Sequence, residues 1–487
     1  MSNLKQRIIG GLGWALSSQV ATEVFRFGVT LVLVRLLSPR DYGLNALAGT
    51  MLGFIQIFSS LGFSQALIQK QDVTSVDYST AFWSTLFLSL LLCGAVVLLA
   101  PAAALFFEEP LVDPLLKVAA LGFILSALGT MQLAQLQKAL AFKQIMLVEL
   151  LTAVFAGITS IALALKGFGV WSLIIGGLVG QALALPVLWK MSIWKPRIVF
   201  SKRAFSELFA FGAHLTVGGI INYLMRNLDN VIIGKVLGST ALGYYSLAYN
   251  LMLKPLQYIS FNIARVLFPA LSSIRGDKEK TRKVYLKAVH FISLITFPMM
   301  SGFLFVASPV VEIVYGAKWM PVVPVLQILC LVGAIQSVGT TVGTIYLSQG
   351  RADLQLKYTV IFAPIVIGSF IIGVHWGIEG VAAAYAVATL GIWMWSHKIA
   401  NGLIDLQLSP FFRELMTAAL SSALMCVVLG CLIAVQIYTL GGTFAAHFQL
   451  MVMIPVGVVT YVCAIARLNP NSLCELWAVV TRRSSVE

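Results

Sequence analysis

Charged and polar residues recur at helical spacing inside three segments that are otherwise apolar. In the first segment, Glu23 and Arg26 stand on one helical face. In the second, Asn222, Arg226 and Asp229 form a similar stripe. The third contains a longer stripe, at spacings of three or four residues, made of Ser246, Asn250, Lys254, Gln257, Phe261 and Arg265. Because buried charges are costly without a partner or a ligand, these stripes predict ion pairs or a polar cavity.

The charges of these stripes leave a surplus of cations. Glu23 with Arg26 and Arg226 with Asp229 have the spacing of an ion pair, whereas Lys254 has no obvious carboxylate partner. Surplus cations suit an anionic ligand, above all a phosphate. Arg26 and Lys254 lie about 12 and 16 Å into their segments, at 1.5 Å per residue.

These properties divide the stripe residues into two predicted groups. Pairing and substrate contact both stay open for the four residues with ion-pair spacing, and Arg265 lies near the end of its segment, where its side chain can reach water. The predicted substrate-binding residues are Arg26, Asn222, Arg226, Asn250, Lys254, Gln257 and Arg265. Glu23 and Asp229 are the candidates for coupling to H⁺ or Na⁺, between which the sequence does not choose.

The composition shows that lipid is the solvent of these segments. Of the 487 residues, 59% are hydrophobic and 11% are charged, and the mean hydropathy is +0.91. This composition excludes a soluble enzyme, a disordered chain and a secreted disulfide scaffold. Fourteen apolar runs are long enough to cross a bilayer as helices. They lie near 10–34, 44–67, 80–106, 115–137, 146–165, 170–189, 208–234, 243–270, 286–308, 322–347, 356–374, 379–397, 412–435 and 444–466.

Basic residues lie mostly on one side of this series of spans. When the N-terminus is placed inside, most Lys and Arg residues fall in the inner segments, which predicts that both termini are cytoplasmic. The net charge of +14 then reflects loops that face anionic lipid, and we expect no nucleic-acid partner. The sequence contains no Walker A loop, GxSxG elbow or HExxH helix. We therefore expect no catalysis, no metal and no cofactor other than a coupling ion.

The sequence also repeats itself at an offset of about 200 residues. Arg26 aligns with Arg226 and Gly43 aligns with Gly243, and chance matching of apolar sequence is the alternative explanation. The offset predicts a first lobe over 1–200 with helices 1–6 and a second lobe over 201–400 with helices 7–12. Residues 401–487 supply helices 13 and 14 and a cytoplasmic tail. Two parallel six-helix repeats are typical of transporters that move two lobes about a central site.

Several short strings resemble a known family. They are Arg35-Leu36-Leu37-Ser38-Pro39-Arg40-Asp41-Tyr42-Gly43-Leu44, Ala66-Leu67-Ile68-Gln69-Lys70 with Ser79-Thr80-Ala81-Phe82-Trp83, and Leu136-Gln137-Lys138 with Phe142-Lys143. These strings resemble bacterial polysaccharide flippases of the Wzx branch that includes the colanic-acid exporter. That branch belongs to the multidrug/oligosaccharidyl-lipid/polysaccharide exporter superfamily. The resemblance covers nearly the whole chain and is strongest before residue 150.

The resemblance implies a fold and a function. It implies two six-helix lobes around a central cavity and two further helices that guide a lipid tail. It also implies alternating access in the bacterial inner membrane, by which undecaprenyl-diphosphate-linked oligosaccharide moves from the cytoplasmic to the periplasmic leaflet for surface polysaccharide synthesis. A polysaccharide polymerase and a chain-length regulator would be partners. The family motifs assign no cavity residue. The assignment of Arg26, Arg226 and Lys254 to the site therefore rests on depth and periodicity alone.

Three alternatives to this function stay open. The first is an ion-coupled multidrug antiporter with the same fold, against which the surplus of cations argues because such substrates are usually cationic. The second is a glycan polymerase or ligase, which short outer loops without paired carboxylates disfavour. The third is a structural scaffold, which would not need polar stripes at membrane depth.

Overall fold

The computed structural model describes residues 19, 21–59, 62–440 and 446–472, without the side chains of 211–219, 221–222 and 437–440. Over these residues the chain is helical and contains no strand, which confirms the predicted all-α class. The chain forms two compact units, Met1–Gly243 and Tyr244–Glu487. The predicted lobe boundaries at 200 and 400 stay a prediction.

The first unit contains nine helices in the part of it that the structure describes, and the start of a tenth. They are α1 (21–36), α2 (Pro39–Ser59), α3 (Phe63–Gln69), α4 (Ser75–Phe107), α5 (Val112–Ala119), α6 (Leu121–Lys138), α7 (Phe142–Leu165), α8 (Trp171–Met191), α9 (Lys202–Val236) and α10 (Gly238–Pro255).

The second unit begins within α10 and continues with longer helices. A π turn at Leu256–Ser260 is followed by α11 (Phe261–Ser273), α12 (Lys278–Val310), α13 (Val322–Ser348), α14 (Ala352–Gly373), α15 (Gly377–Leu403), α16 (Leu408–Leu440) and α17 (Ala446–Leu468). A further π turn lies at Val311–Tyr315, and short 3₁₀ turns lie at Ala317–Trp319 and Val374–Trp376. One hydrophobic core of this unit includes the buried rings of Tyr285, Tyr346 and Phe411.

Helix α4 shows why the sequence makes long apolar helices. It begins with a capping box, in which Thr74 Oγ1 accepts a hydrogen bond from Asp77 N and Asp77 Oδ2 accepts one from Thr74 N. The helix is apolar on every side, and its Leu98 and Leu105 side chains are 80% and 79% exposed. Exposure of large apolar side chains on this scale is expected where the surrounding solvent is lipid.

Nine helical segments among the described residues are long and apolar enough to cross a membrane, or ten if the bent pair α2 and α3 forms one span. One of the nine, Ala352–Leu403, contains both α14 and α15. These two helices form an antiparallel hairpin, in which the Phe362 and Trp395 rings lie 5.1 Å apart and the Phe370 and Tyr385 rings 5.2 Å apart. The chain is therefore a multi-pass membrane protein, and the number of fourteen spans stays a prediction.

Three of the predicted spans contain the candidate site residues. Those over 10–34, 208–234 and 243–270 fall on α1, on α9, and on α10 with α11. These are the segments that carry the charged stripes. The candidate site residues therefore lie on α1, α9, α10 and α11.

Candidate functional site

The first candidate cation, Arg26, lies on α1 beside Glu23. Its Nη1 atom is 3.4 Å from Glu23 Oε1, so the ion pair that the spacing allowed is present. The Arg26 side chain nevertheless remains 53% exposed. Helix α1 is held on α7 through Phe25 and Val29, which lie over Gly157. An exposed pair of this length contributes about 0–1 kcal/mol to stability, so a ligand anion can replace Glu23 at little cost.

Helix α9 presents Arg226 and Asp229 in different surroundings. Asp229 is 3% exposed, and its Oδ1 atom accepts a hydrogen bond from Asn230 N at 2.8 Å. Arg226 is exposed, and the ion pairs found among the described residues do not include it. Asn222 is part of α9, but its side chain lies outside the described residues. The Arg226 guanidinium is therefore the charge on this stripe that faces outward.

Two hydrogen bonds to α2 position this part of α9. The Tyr223 hydroxyl donates to Thr50 O at 2.8 Å, and Asn230 Nδ2 donates to Thr50 Oγ1 at 3.3 Å. The Tyr223 ring also lies 6.2 Å from the ring of Phe54. These contacts bracket Arg226 on both sides along the helix and hold its backbone in place.

In the second unit, α10, the π turn and α11 carry a continuous exposed polar face. Pro255 has no backbone N–H to donate, and the regular helix widens into the π turn immediately after it. Four predicted site residues are exposed along this segment, namely Asn250, Lys254, Gln257 and Arg265. The opposite side of the segment is buried, as at Met252, Leu256 and Leu271.

The π turn also changes which residues belong to this face. Phe261, which the spacing predicts as a member of the stripe, is only partly exposed, whereas Tyr258 and Asn262 are exposed. Asn262 Nδ2 donates to Tyr258 O at 2.9 Å, and Lys254 Nζ lies 6.0 Å from the centre of the Tyr258 ring. The wider turn shifts the helical register, and the place of Phe261 in the stripe stays a prediction. Pro255 is the sequence signal that marks this shift.

The polar face is the surface formed by Asn250, Lys254, Gln257, Tyr258, Asn262 and Arg265. Its two cations, Lys254 and Arg265, take part in no ion pair found in the described part of the chain. Amides, an aromatic ring and unpaired cations can together bind an anion that carries hydroxyl groups, since Lys and Arg hold oxyanions while amides bond to hydroxyls.

Other charges form a second cluster, which the sequence did not predict as a site. Ser38 and Asp41 cap α2, where Ser38 N donates to Asp41 Oδ2 at 2.9 Å. Asp41 Oδ1 accepts a hydrogen bond from Val170 N at 2.9 Å, and Arg40 Nη2 lies 2.8 Å from Glu109 Oε2. Ser38, Arg40 and Asp41 belong to the string that resembles polysaccharide flippases, so this string has a structural role.

The same cluster contains a close crossing of α2 and α10. A Cβ atom on Gly43 would collide with the carbonyl of Ser239, and one on Gly243 would collide with the carbonyl of Pro39. Gly43 and Gly243 are the positions that the offset of 200 residues aligns. Only glycine permits two backbones to approach so closely. We call this crossing, with the ion pairs around it, the α2–α10 corner.

Two further ion-pair partners complete the α2–α10 corner. Lys235 Nζ lies 2.7 Å from Glu108 Oε1 and 5.4 Å from the centre of the Phe106 ring. This hydrogen bond and the positive charge of Lys235 lower the pKa of the Glu108 carboxyl. Glu109 also accepts a hydrogen bond from Ser239. In this corner Arg40 and Lys235 are thus each paired with a carboxylate.

Metal binding and disulfide bonding find no support in the described ranges. No group of three or more His, Cys, Asp or Glu side chains there is arranged to hold a metal ion. Cys93, Cys330, Cys426, Cys431 and Cys463 are free thiols. The absence of a cofactor and the identity of any coupling ion stay predictions.

The described residues form a multi-pass helical membrane protein with charged residues on a few of its helices. A family model described as polysaccharide biosynthesis protein matches residues 32–324. The lipopolysaccharide biosynthesis protein WzxC of Escherichia coli is 31% identical over 88% of this chain and 89% of its own length. The teichuronic acid biosynthesis protein TuaB of Bacillus subtilis is 26% identical over 98% of this chain and 99% of its own. The chain belongs to the polysaccharide biosynthesis protein family.

Solved structures with a similar fold include two membrane proteins. The lipid II flippase MurJ in an inward closed conformation superimposes with a TM-score of 0.76, at 17% identity, over 94% of this chain and 99% of that one. A multidrug transporter of the MATE family, in an inward-facing conformation, superimposes with a TM-score of 0.63 at 16% identity. The match covers 78% of this chain and 95% of that one. At these identities the likeness is one of fold. The expected family resemblance is confirmed.

Proposed function

We propose that this protein flips an undecaprenyl-diphosphate-linked oligosaccharide from the cytoplasmic to the periplasmic leaflet of the bacterial inner membrane. The product would serve surface polysaccharide synthesis, with a polymerase and a chain-length regulator acting on it afterwards. WzxC, TuaB and the succinoglycan transport protein ExoT of Rhizobium meliloti are named for polysaccharides of this kind. MurJ is named for the flipping of lipid II.

One observation supports this proposal more than any other. Arg226 and Lys254 are exposed on helices of a membrane protein, and so is Arg265 near the end of its segment. None of the three has an ion-pair partner among the residues described. An unpaired cation at membrane depth is costly unless a ligand of opposite charge meets it. A diphosphate is such a ligand, since its oxygens match the bidentate donors of arginine and accept from lysine as well.

The remaining predicted residues have roles within the same proposal. Arg26 would also contact the substrate once its weak pair with Glu23 opens. Asn222, Asn250 and Gln257 would bond to phosphate or sugar oxygens. Glu23 and Asp229 would take up H⁺ or Na⁺ in an alternating-access cycle. Asp229 is buried, and its Oδ1 atom accepts a hydrogen bond from Asn230 N.

The experiment uses a deletion of the gene in the native host. We expect lipid-diphosphate-linked glycan to accumulate on the cytoplasmic face while surface polysaccharide is lost. Wild-type protein should restore export, and Arg226→Ala should not, although it should reach the membrane in normal amounts. Lys254→Ala should reduce export at least about tenfold, since a charge-assisted hydrogen bond contributes about 1.5–3 kcal/mol.

A matched control lies on the same helix. Arg203 is 90% exposed at the start of α9 and pairs with Glu207 at 3.0 Å, so Arg203→Ala should leave export intact. Full export by a well-expressed Arg226→Ala protein would overturn the assignment of the site. Normal surface polysaccharide in the deletion strain, without a second flippase, would instead favour a multidrug antiporter, which drug-resistance assays would then detect.

A further inference from the structure

We propose that Tyr258 is the platform on which a sugar ring of the transported molecule stacks, beside the diphosphate site at Lys254. This inference rests on the proposed function and names a subsite within it. The Tyr258 side chain is 49% exposed, although it lies at the centre of a segment whose other face is buried. A large aromatic ring presented on a polar face offers a surface for a flat, partly apolar ligand.

The π turn is what places this ring in line with the neighbouring polar residues. In a regular α-helix, three steps of four residues from Asn250 to Asn262 would rotate the side chain by about 120°. The wider turn at Leu256–Ser260 removes much of that rotation about the helix axis. As a result Asn250, Lys254, Tyr258 and Asn262 are all exposed. Single π turns inside α-helices are frequent at functional sites. The distortion therefore builds one continuous surface instead of two separate patches.

The chemistry of this surface fits a pyranose joined to a phosphate. The C–H face of a sugar packs on an aromatic ring, whose face carries partial negative charge. Amide groups close by, at Asn262 and Gln257, can bond to sugar hydroxyls because each amide both donates and accepts. Lys254 Nζ lies 6.0 Å from the centre of the ring and occupies one side of it. A phosphate held by this ammonium would place its attached sugar next to Tyr258.

The two residues should therefore act on different parts of one ligand. Lys254 should affect any polyprenyl diphosphate, whereas Tyr258 should affect only a molecule that carries sugar. Tyr258→Leu removes the aromatic face, and Tyr258→Phe keeps it while removing the hydroxyl. Tyr249→Leu is a matched control two turns earlier, because the Tyr249 ring stacks on Tyr245 at 6.1 Å and is not part of the polar face.

The test measures binding to the purified full-length protein in lipid nanodiscs. One probe is the lipid-linked glycan extracted from the deletion strain, and the other is undecaprenyl diphosphate without sugar. We expect Tyr258→Leu to weaken the binding of the first probe by about 3- to 10-fold, the range of an aromatic contact. The affinity for the second probe should stay within twofold of wild type. Tyr258→Phe should bind both probes as wild type does, and Lys254→Ala should weaken both.

Each other outcome decides against the inference. If Tyr258→Leu weakened both probes equally, the ring would only support Lys254 or the fold, which the melting temperature would distinguish. If Tyr258→Leu left both probes unchanged, the platform would be disproved while the diphosphate site stood. If wild-type protein bound neither probe, the proposed function and the platform would fall together.

Discussion

The α2–α10 corner and the polar face of α10 and α11 use the same residue types in opposite ways. In the corner, Lys235 lies 2.7 Å from Glu108 and Arg40 lies 2.8 Å from Glu109, so each cation has its own carboxylate. On the polar face, Lys254 has an aromatic ring beside it at 6.0 Å and no carboxylate within ion-pair distance among the residues described. In the corner each cation is compensated by a carboxylate, whereas the cations of the polar face need an anionic ligand.

This difference separates structural charges from functional ones. Counting charged residues in the sequence would treat Lys235 and Lys254 alike, because each lies on or near an apolar helix. Their partners differ, and partners determine whether removal of a charge leaves another charge uncompensated. Substitutions in the corner should therefore lower stability, and substitutions on the polar face should lower transport at unchanged stability.

The largest effect is expected at the crossing itself. Gly43→Ala places a methyl group against the Ser239 carbonyl, which cannot move without displacing α10, and we expect a loss of about 3 kcal/mol. Thermal unfolding of detergent-solubilised protein measures this. Gly49→Ala is the control, because a Cβ atom there meets nothing within 4 Å on the same helix. Equal melting temperatures for the two variants would contradict the close crossing.

A smaller effect is expected at the Arg40–Glu109 pair. The Glu109 side chain is 13% exposed and accepts hydrogen bonds from both Arg40 and Ser239. Glu109→Gln should cost about 1–2 kcal/mol, discounted because Arg40 itself is largely exposed, and polysaccharide export should persist. Lys254→Ala should show the reverse pattern, with export reduced and melting unchanged. If both variants changed export alone, the contrast between the two regions would not hold.

The smallest effect is a pH dependence at Glu108. Because Lys235 lowers the pKa of Glu108 below the usual 4.5, this pair stabilises the fold above the usual value and ceases to do so as pH falls through the lowered one. The melting temperature of wild-type protein should therefore exceed that of Glu108→Gln at pH 7, and the difference should vanish in acid. A difference that persisted or grew toward low pH would show that Glu108 acts otherwise.

Helical periodicity predicted much of the polar face and composition predicted the fold class. Asn250, Lys254 and Arg265 are exposed as their spacing indicates, because a helix repeats its surface every 3.6 residues. The same rule assumes a regular helix, and the π turn at Leu256–Ser260 intervenes before Phe261. Pro255 indicated a break in the series of helical hydrogen bonds, but it did not show that the helix would widen there.

The α2–α10 corner could not be predicted in the same way. Arg40 and Glu109 are 69 residues apart, and no local pattern encodes such a pairing. The match of Gly43 with Gly243 was visible as a sign of repetition, yet a repeat does not show that its two copies touch. The Asp41 carboxylate, within the string that resembles flippases, likewise has its long-range partner only in the folded chain, at Val170 N.

The reciprocal contact of Gly43 with Ser239 and of Gly243 with Pro39 has the form of an isologous interface. Such interfaces normally join two identical subunits and weaken on dilution. Here a single chain supplies both sides, so the contact forms at a high effective concentration whatever the protein concentration. A cut in the linker at 192–201, where Ile193 and Ile198 are 94% and 93% exposed, would remove this advantage. Association of the two fragments should then depend on concentration, which size-exclusion chromatography at serial dilutions would reveal.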